Sequence, residues 1–286
     1  MKVAILGTGK MGGAMARRLN QQGYDVRLWN RTRSRAEALG IGEVFTAPAT
    51  AVEGAELAIS MLTDSSAVRQ AYLGENGAAQ ATGAPIYVDS STVNAETHEQ
   101  LARSLAERGA SFLEAPVVGS VPAVQSGKLL ILVGGDEFTL ERVRPVLEVL
   151  GEVRYVGPLG HAARLKLIAN SMLGITNAAA GELYQAGLRA GLDRQRVWEI
   201  LTRFVPNLEA RRAGYLEGHY QPALFRLADL VKDLRLASEL YRELGIETPL
   251  TGTTREQFER ALREHGDQDI AAIAELWREP AASTSA

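Results

Sequence analysis

Gly7, Gly9 and Gly12 stand in a G-x-G-x-x-G spacing, directly after the apolar run 3–6 and at the start of a helical pattern over 11–22. Glycines at this spacing act by leaving room. The first permits a tight turn, the second lets the main chain approach a pyrophosphate, and the third lets helix pack closely on strand. The start of the helix adds unpaired N–H groups and a partial positive charge. The segment therefore predicts a dinucleotide site built from Gly7, Thr8, Gly9, Lys10, Met11 and Gly12. About twenty residues further on, an NAD site would carry Asp or Glu for the ribose 2′-OH. Here the chain reads Trp29-Asn30-Arg31-Thr32-Arg33, with no carboxylate. Arg31 can pair with a 2′-phosphate while Asn30 and Thr32 donate hydrogen bonds, which favours NADP over NAD. A solvated basic turn before a helix is the other reading of the same residues.

Such a site needs a sheet to carry it. Short apolar runs at 3–6, 26–29, 57–62, 86–89, 112–117 and 129–133 alternate with helical patterns such as 65–72 and 94–108. That order predicts an α/β fold of the Rossmann type, a doubly wound parallel sheet covered on both faces. Near Gly157-Pro158-Leu159-Gly160 the character changes. From His161 to about residue 190 one helix is expected, ~45 Å long at 1.5 Å per residue. Leu165, Ile168, Met172, Ile175, Ala179, Leu183 and Ala186 form a single apolar stripe along it. Further helical patterns follow at 194–204, 227–244 and 255–264, with Gly191, Gly245 and Gly266 as stops. The predicted domains are 1–160, binding the dinucleotide, and 161–286, all helical. By composition, residues 280–286 are expected to be disordered.

Other classes are disfavoured. Cysteine is absent, so disulfides, thiolate catalysis and Cys-ligated zinc are excluded, and the four histidines are too scattered for a metal motif. With 34 acidic and 31 basic residues there is no basic footprint for nucleic acid. No apolar stretch approaches the ~20 residues of a membrane span, and the N-terminus carries no targeting pattern, so cytoplasm is the expectation.

Several ordered motifs resemble the β-hydroxyacid dehydrogenase family over nearly the full length. They are GTGKMGGAMARRL at the first turn, Asp89-Ser90-Ser91-Thr92-Val93, EAPVVGSVPAVQSGKLLILVGG, the Gly160-to-Asn170 helix start, Val231-Lys232-Asp233-Leu234, and HGDQDI near the end. The resemblance implies an oxidoreductase that moves a hydride between NADP(H) and a small 3-hydroxyacid or its semialdehyde or keto partner. It marks Lys166 as the catalytic acid/base, able to supply the proton a developing alkoxide needs. Asn170, four residues on and so on the same helix face, would hold substrate oxygen or orient the ammonium. Ser91, Gly119 and Ser120 are implied at the substrate carboxylate, and Thr92, Lys232, Leu62 and Thr63 at the cofactor. Spacing alone leaves blander readings open: a solvated helix face for Lys166 and Asn170, helix capping for Ser91, Thr92 and Asn94, and a surface lysine for Lys232. Val118 replaces a serine usual in the family, which leaves the substrate open while the reaction class stands. The resemblance also implies a homodimer or homotetramer. Two alternatives remain: an NADPH-dependent imine reductase, whose members generally lack the lysine, and a non-catalytic dinucleotide-binding scaffold.

Overall fold

The computed structural model describes residues 1–83 and 85–278; the expectation for 280–286 lies outside them. Two compact units emerge, Met1–Leu167 and Ile168–Ala286.

The first unit is a nine-stranded sheet: β1 (Lys2–Leu6), β2 (Asp25–Trp29), β3 (Glu43–Val44), β4 (Leu57–Ser60), β5 (Ile86–Asp89), β6 (Ser111–Glu114), β7 (Val117–Val118), β8 (Leu129–Gly135) and β9 (Gly151–Gly157). Its order is β3-β2-β1-β4-β5-β6-β8-β7, with β9 against β8. The first six of these run parallel in the dinucleotide-fold order, and β6 and β7 pair antiparallel with β8. Residues 112–117, expected as one strand, form two, because Pro116 lacks the N–H that a continuing ladder requires.

Successive residues of β1 serve opposite faces. Val3 and Ile5 join Met15, Leu19, Val88 and Leu140 in one core, whereas Ala4 and Leu6 join Tyr72, Tyr87, Leu101 and Phe112 in another. All four β1 residues are fully buried, and each large apolar side chain so placed contributes about 1.5–3 kcal/mol. The helices that cover the two faces are α1 (Lys10–Gln21), α2 (Arg33–Glu37), α3 (Pro48–Val52), α4 (Ser65–Leu73), α5 (Ala95–Ala106), α6 (Val121–Gln125) and α7 (Glu137–Leu150).

One continuous helix, α8 (His161–Arg189), begins in the first unit and continues in the second. The second unit adds α9 (Arg194–Phe204), α10 (Arg212–Glu217), α11 (Leu227–Glu243) and α12 (Pro249–His265). Its cores gather Leu230, Leu234, Phe258 and Ile273 in one cluster and Tyr184, Trp198, Leu208 and Tyr215 in another. The stripe singled out on α8 does not feed these cores: Leu165, Ile168, Met172 and Leu183 are exposed in the single chain. The inward face instead carries smaller and polar residues, including Asn170, Asn177, Ala180 and Tyr184. Among the described residues no helix is long and apolar enough to cross a membrane.

Candidate active site

The turn after β1 is built by close approach. Gly7 has φ +98°, and a Cβ placed there would lie 2.4 Å from the Met61 carbonyl oxygen. At Gly12 a Cβ would lie 2.0 Å from the Gly7 carbonyl oxygen, so α1 can sit this tightly on the turn only without a side chain. Gly9 differs: a Cβ there would meet nothing, and no side chain caps α1. The start of α1 thus leaves open room beside Gly9 and has no side-chain cap, which suits the approach of an anionic phosphate to a helix N-terminus. Thr8 is buried between these glycines, and its Oγ1 lacks a hydrogen-bond partner among the described residues. A buried orphan hydroxyl beside an open glycine is what a group bound at this turn would satisfy.

The turn opens into a cleft of about 140 Å³ lined by Gly7, Gly9, Asn30, Arg31, Thr32, Arg35, Leu62 and Thr63 together with Trp29, Met61 and residues of α4. Among the described residues no carboxylate lines it. Asn30 is a brace: its Oδ1 accepts the Thr8 N–H at 3.0 Å, and its Nδ2 donates to the Thr32 carbonyl at 2.9 Å. Arg31, Thr32 and Arg35 are exposed at its mouth, while Arg33 turns to Glu37 at 2.7 Å. Arg35 was not singled out from the sequence; its position one turn into α2, beyond Arg31, was the available signal. Lys10 is exposed at the start of α1, and Met11 packs against the core.

Ser91, Thr92 and Asn94 follow β5. Asn94 caps α5, its Oδ1 accepting the Thr97 N–H at 3.2 Å. The Ser91 hydroxyl is engaged on both sides, donating to Asp89 Oδ1 at 2.6 Å and accepting the Leu62 N–H at 2.9 Å. It therefore braces the wall of the cleft, and its hydrogen is committed to Asp89. Thr92 is half-buried. Gly119 is exposed at φ +133°, and a Cβ there would come within 2.8 Å of Leu129. Ser120 opens α6 without a side-chain capping bond, and half-buried Val118 pairs with Leu130 in the sheet.

Lys166 lies two turns into α8, still in the first unit, and is only 9% exposed. A lysine so withdrawn from water is uncommon. In the second unit Asn170 is buried and donates to Asp233 Oδ2 at 2.5 Å, and Lys232 Nζ meets Asp233 Oδ1 at 2.7 Å. Asp233 thus joins two residues that the sequence motifs treated separately. The later HGDQDI motif has a structural role: Asp269 accepts N–H groups of Leu224, Phe225 and Ala271 and pairs with Arg211.

Sequence reasoning also missed a buried ionisable cluster. Asp89, His98 and Glu114 are all fully buried, and His98 bonds both carboxylates. Nothing in their spacing signals it, because the residues come from β5, α5 and β6.

The comparisons with known proteins agree on the fold and its class. A model of the NAD-binding domain of 6-phosphogluconate dehydrogenase matches residues 2–157, and one of the NAD-binding region of NADP-dependent 3-hydroxyisobutyrate dehydrogenase matches residues 160–277. The chain is 32% identical to glyoxylate/succinic semialdehyde reductase 1 of Arabidopsis thaliana, over 96% of this chain and 98% of that one. A solved Mycobacterium tuberculosis 3-hydroxyisobutyrate dehydrogenase with L-serine superimposes with TM-score 0.86 at 27% identity, covering 97% of this chain and 99% of that one. A structure of Psf3 with NADP+ and 2-OPP gives TM-score 0.88 at 28% identity, covering 96% and 100%.

Proposed function

The chain belongs to the β-hydroxyacid dehydrogenase family and is an NAD(P)-dependent oxidoreductase, and on that premise we propose that it is an NADPH-linked reductase of small carboxylate-bearing aldehydes or keto acids, with Lys166 as general acid/base. The observation that carries this reading is the burial of Lys166 in the same compact unit as the open glycine turn.

The glycine turn and the orphan Thr8 hydroxyl fit a pyrophosphate, and Arg31 and Arg35 fit a 2′-phosphate at a cleft free of carboxylates. When bound, the nicotinamide supplies the hydride. Lys166 gives its ammonium proton to the carbonyl oxygen as negative charge develops there, and in the reverse direction it takes the proton back. The Gly119–Ser120 turn receives the substrate carboxylate through main-chain N–H groups and the Ser120 hydroxyl. Ser91 joins that contact only by releasing its bond to Asp89. Asn170, one helical turn beyond Lys166, steadies the substrate oxygen. In this reading the exposed α8 stripe is covered by a second copy, as a homodimer or homotetramer.

The test is NADPH oxidation with a panel of two- to six-carbon carbonyl acids that includes glyoxylate and succinic semialdehyde, repeated with NADH. Lys166→Ala is expected to lose about 10²–10⁴-fold in kcat while still binding NADPH. Wild-type kcat in that variant would overturn the mechanism, and a clear preference for NADH would overturn the choice of cofactor.

A further inference from the structure

Three ionisable side chains that the mechanism leaves unused are joined in the interior of the first unit. His98 Nε2 lies 2.8 Å from Asp89 Oδ2, and His98 Nδ1 lies 2.8 Å from Glu114 Oε2. With both carboxylates ionised, each can only accept, so both ring nitrogens donate and the ring is an imidazolium. Burial alone would push the His98 pKa down, but its bonds to Asp89 and Glu114 outweigh this and raise it to about 9. Besides these carboxylates, the ring is faced by Phe112, with centroids 5.7 Å apart. Neither nitrogen is left for a metal, and among the described residues no group could hold one.

The far ends of the cluster lead to the two working parts of this unit. Asp89 Oδ1 accepts the hydroxyls of Ser60 and Ser91 at 2.6 Å each, and Ser91 in turn accepts the N–H of Leu62, a wall of the dinucleotide cleft. Glu114 Oε1 accepts the Ala162 N–H at 2.8 Å, in the first turn of the helix that carries Lys166 one turn later. An unbroken series of hydrogen bonds, half-buried at Leu62 and buried from there on, therefore runs from Leu62 through Ser91, Asp89, His98 and Glu114 to Ala162. We propose that His98 is a positioning residue, whose two N–H bonds fix the Lys166 helix relative to the dinucleotide cleft. Stability is a weak reason for such an arrangement, because well-packed apolar residues often replace a buried ion cluster without loss. Geometry is a stronger one: a displacement of about 1 Å in a reacting group can cost about a hundredfold in rate.

This inference rests on the role given to Lys166, so Lys166→Ala is measured beside His98→Gln, Ser91→Ala and Glu114→Ala in the full chain. The substrate is glyoxylate or succinic semialdehyde, whichever turns over. Ser91→Ala is expected to raise the NADPH KM about tenfold, and Glu114→Ala to lower kcat about tenfold with the NADPH KM within about threefold. His98→Gln is expected to shift both. If Lys166→Ala kept its kcat, the catalytic reading itself would fail. If Lys166→Ala is inactive while His98→Gln lowers Tm but leaves both constants within about twofold, the positioning role alone is overturned. Should His98→Gln not fold, the two end variants and ¹⁵N NMR of the wild-type ring decide. Two protonated ring nitrogens at about pH 8 support the proposal, whereas one bare nitrogen, or a single kinetic profile shared by both end variants, overturns it.

Discussion

The two units bury carboxylates in different company. In the second unit, Asp269 is held by Arg211 at 2.9 Å and by main-chain N–H groups of Leu224, Phe225 and Ala271. In the first, Asp89 is held by the side chains of Ser60, Ser91 and His98, with the Ser91 N–H at 3.3 Å. A hub of backbone amides and an arginine pins loops together through donors that the main chain and one guanidinium hold in place. A hub of hydroxyls and an imidazole can titrate, and it passes position from one side chain to the next. The same chemical group thus serves as an anchor in one unit and as a link in the other.

The sharpest way to break this comparison is to remove the anchor. Asp269→Ala leaves the Arg211 guanidinium buried without its partner and three N–H groups without their acceptor. It is expected to cost about 3–5 kcal/mol in urea unfolding, with kcat per folded molecule unchanged. A fall in kcat with stability intact would erase the distinction between anchor and link.

The link should reveal itself through pH. The folded His98 pKa of about 9 lies above the ordinary 6.5, so the native state holds this proton more tightly than the unfolded chain. The resulting stability, about 3–4 kcal/mol at about 1.4 kcal/mol per pKa unit, is complete below about pH 6.5 and lost as pH rises through 9. Denaturant unfolding between about pH 6 and 9.5 reads this loss below about pH 10, above which Tyr87, raised to about 12 in the folded chain, ionises first in the unfolded one and adds a loss of its own. The loss is expected in the wild type and absent from His98→Gln. A flat wild-type profile would make the first hub as inert as the second.

Much of the first unit's frame and little of the link within it could be read in the sequence. Runs such as 3–6 and 57–59 are apolar because a covered sheet buries both faces, so they announce strands. The glycine turn is legible because its spacing is local and its steric demand severe, as at Gly12. Lys166 was reachable only through resemblance to a family, since nothing local separates a buried helix lysine from a solvated one. Asp89, His98 and Glu114 meet through tertiary packing of a helix on two strands, and no period in the chain encodes that meeting. The α8 stripe misleads in another way. Periodicity reports that a face is apolar but not what covers it, and Leu165, Ile168, Met172 and Leu183 stay exposed in the single chain.

The smallest expected effect separates the units most finely. Asn94 caps α5 through the Thr97 N–H, and Asp193 caps α9 through the Arg196 N–H at 3.0 Å. Replacing either cap with alanine leaves a first-turn donor without its side-chain partner and is expected to cost about 1 kcal/mol of stability. On that measure the two variants should be alike. They should differ in turnover, because α5 carries His98 one turn after its cap, whereas α9 carries no member of the buried cluster. A frayed first turn in α5 loosens the imidazole between its carboxylates, so Asn94→Ala is expected to lose about two- to fivefold in kcat, a small share of what a displacement of about 1 Å can cost. Asp193→Ala should keep its kcat. Equal turnover in both, at equal loss of stability, would show that the first turn of α5 holds His98 no more tightly than its neighbours already do.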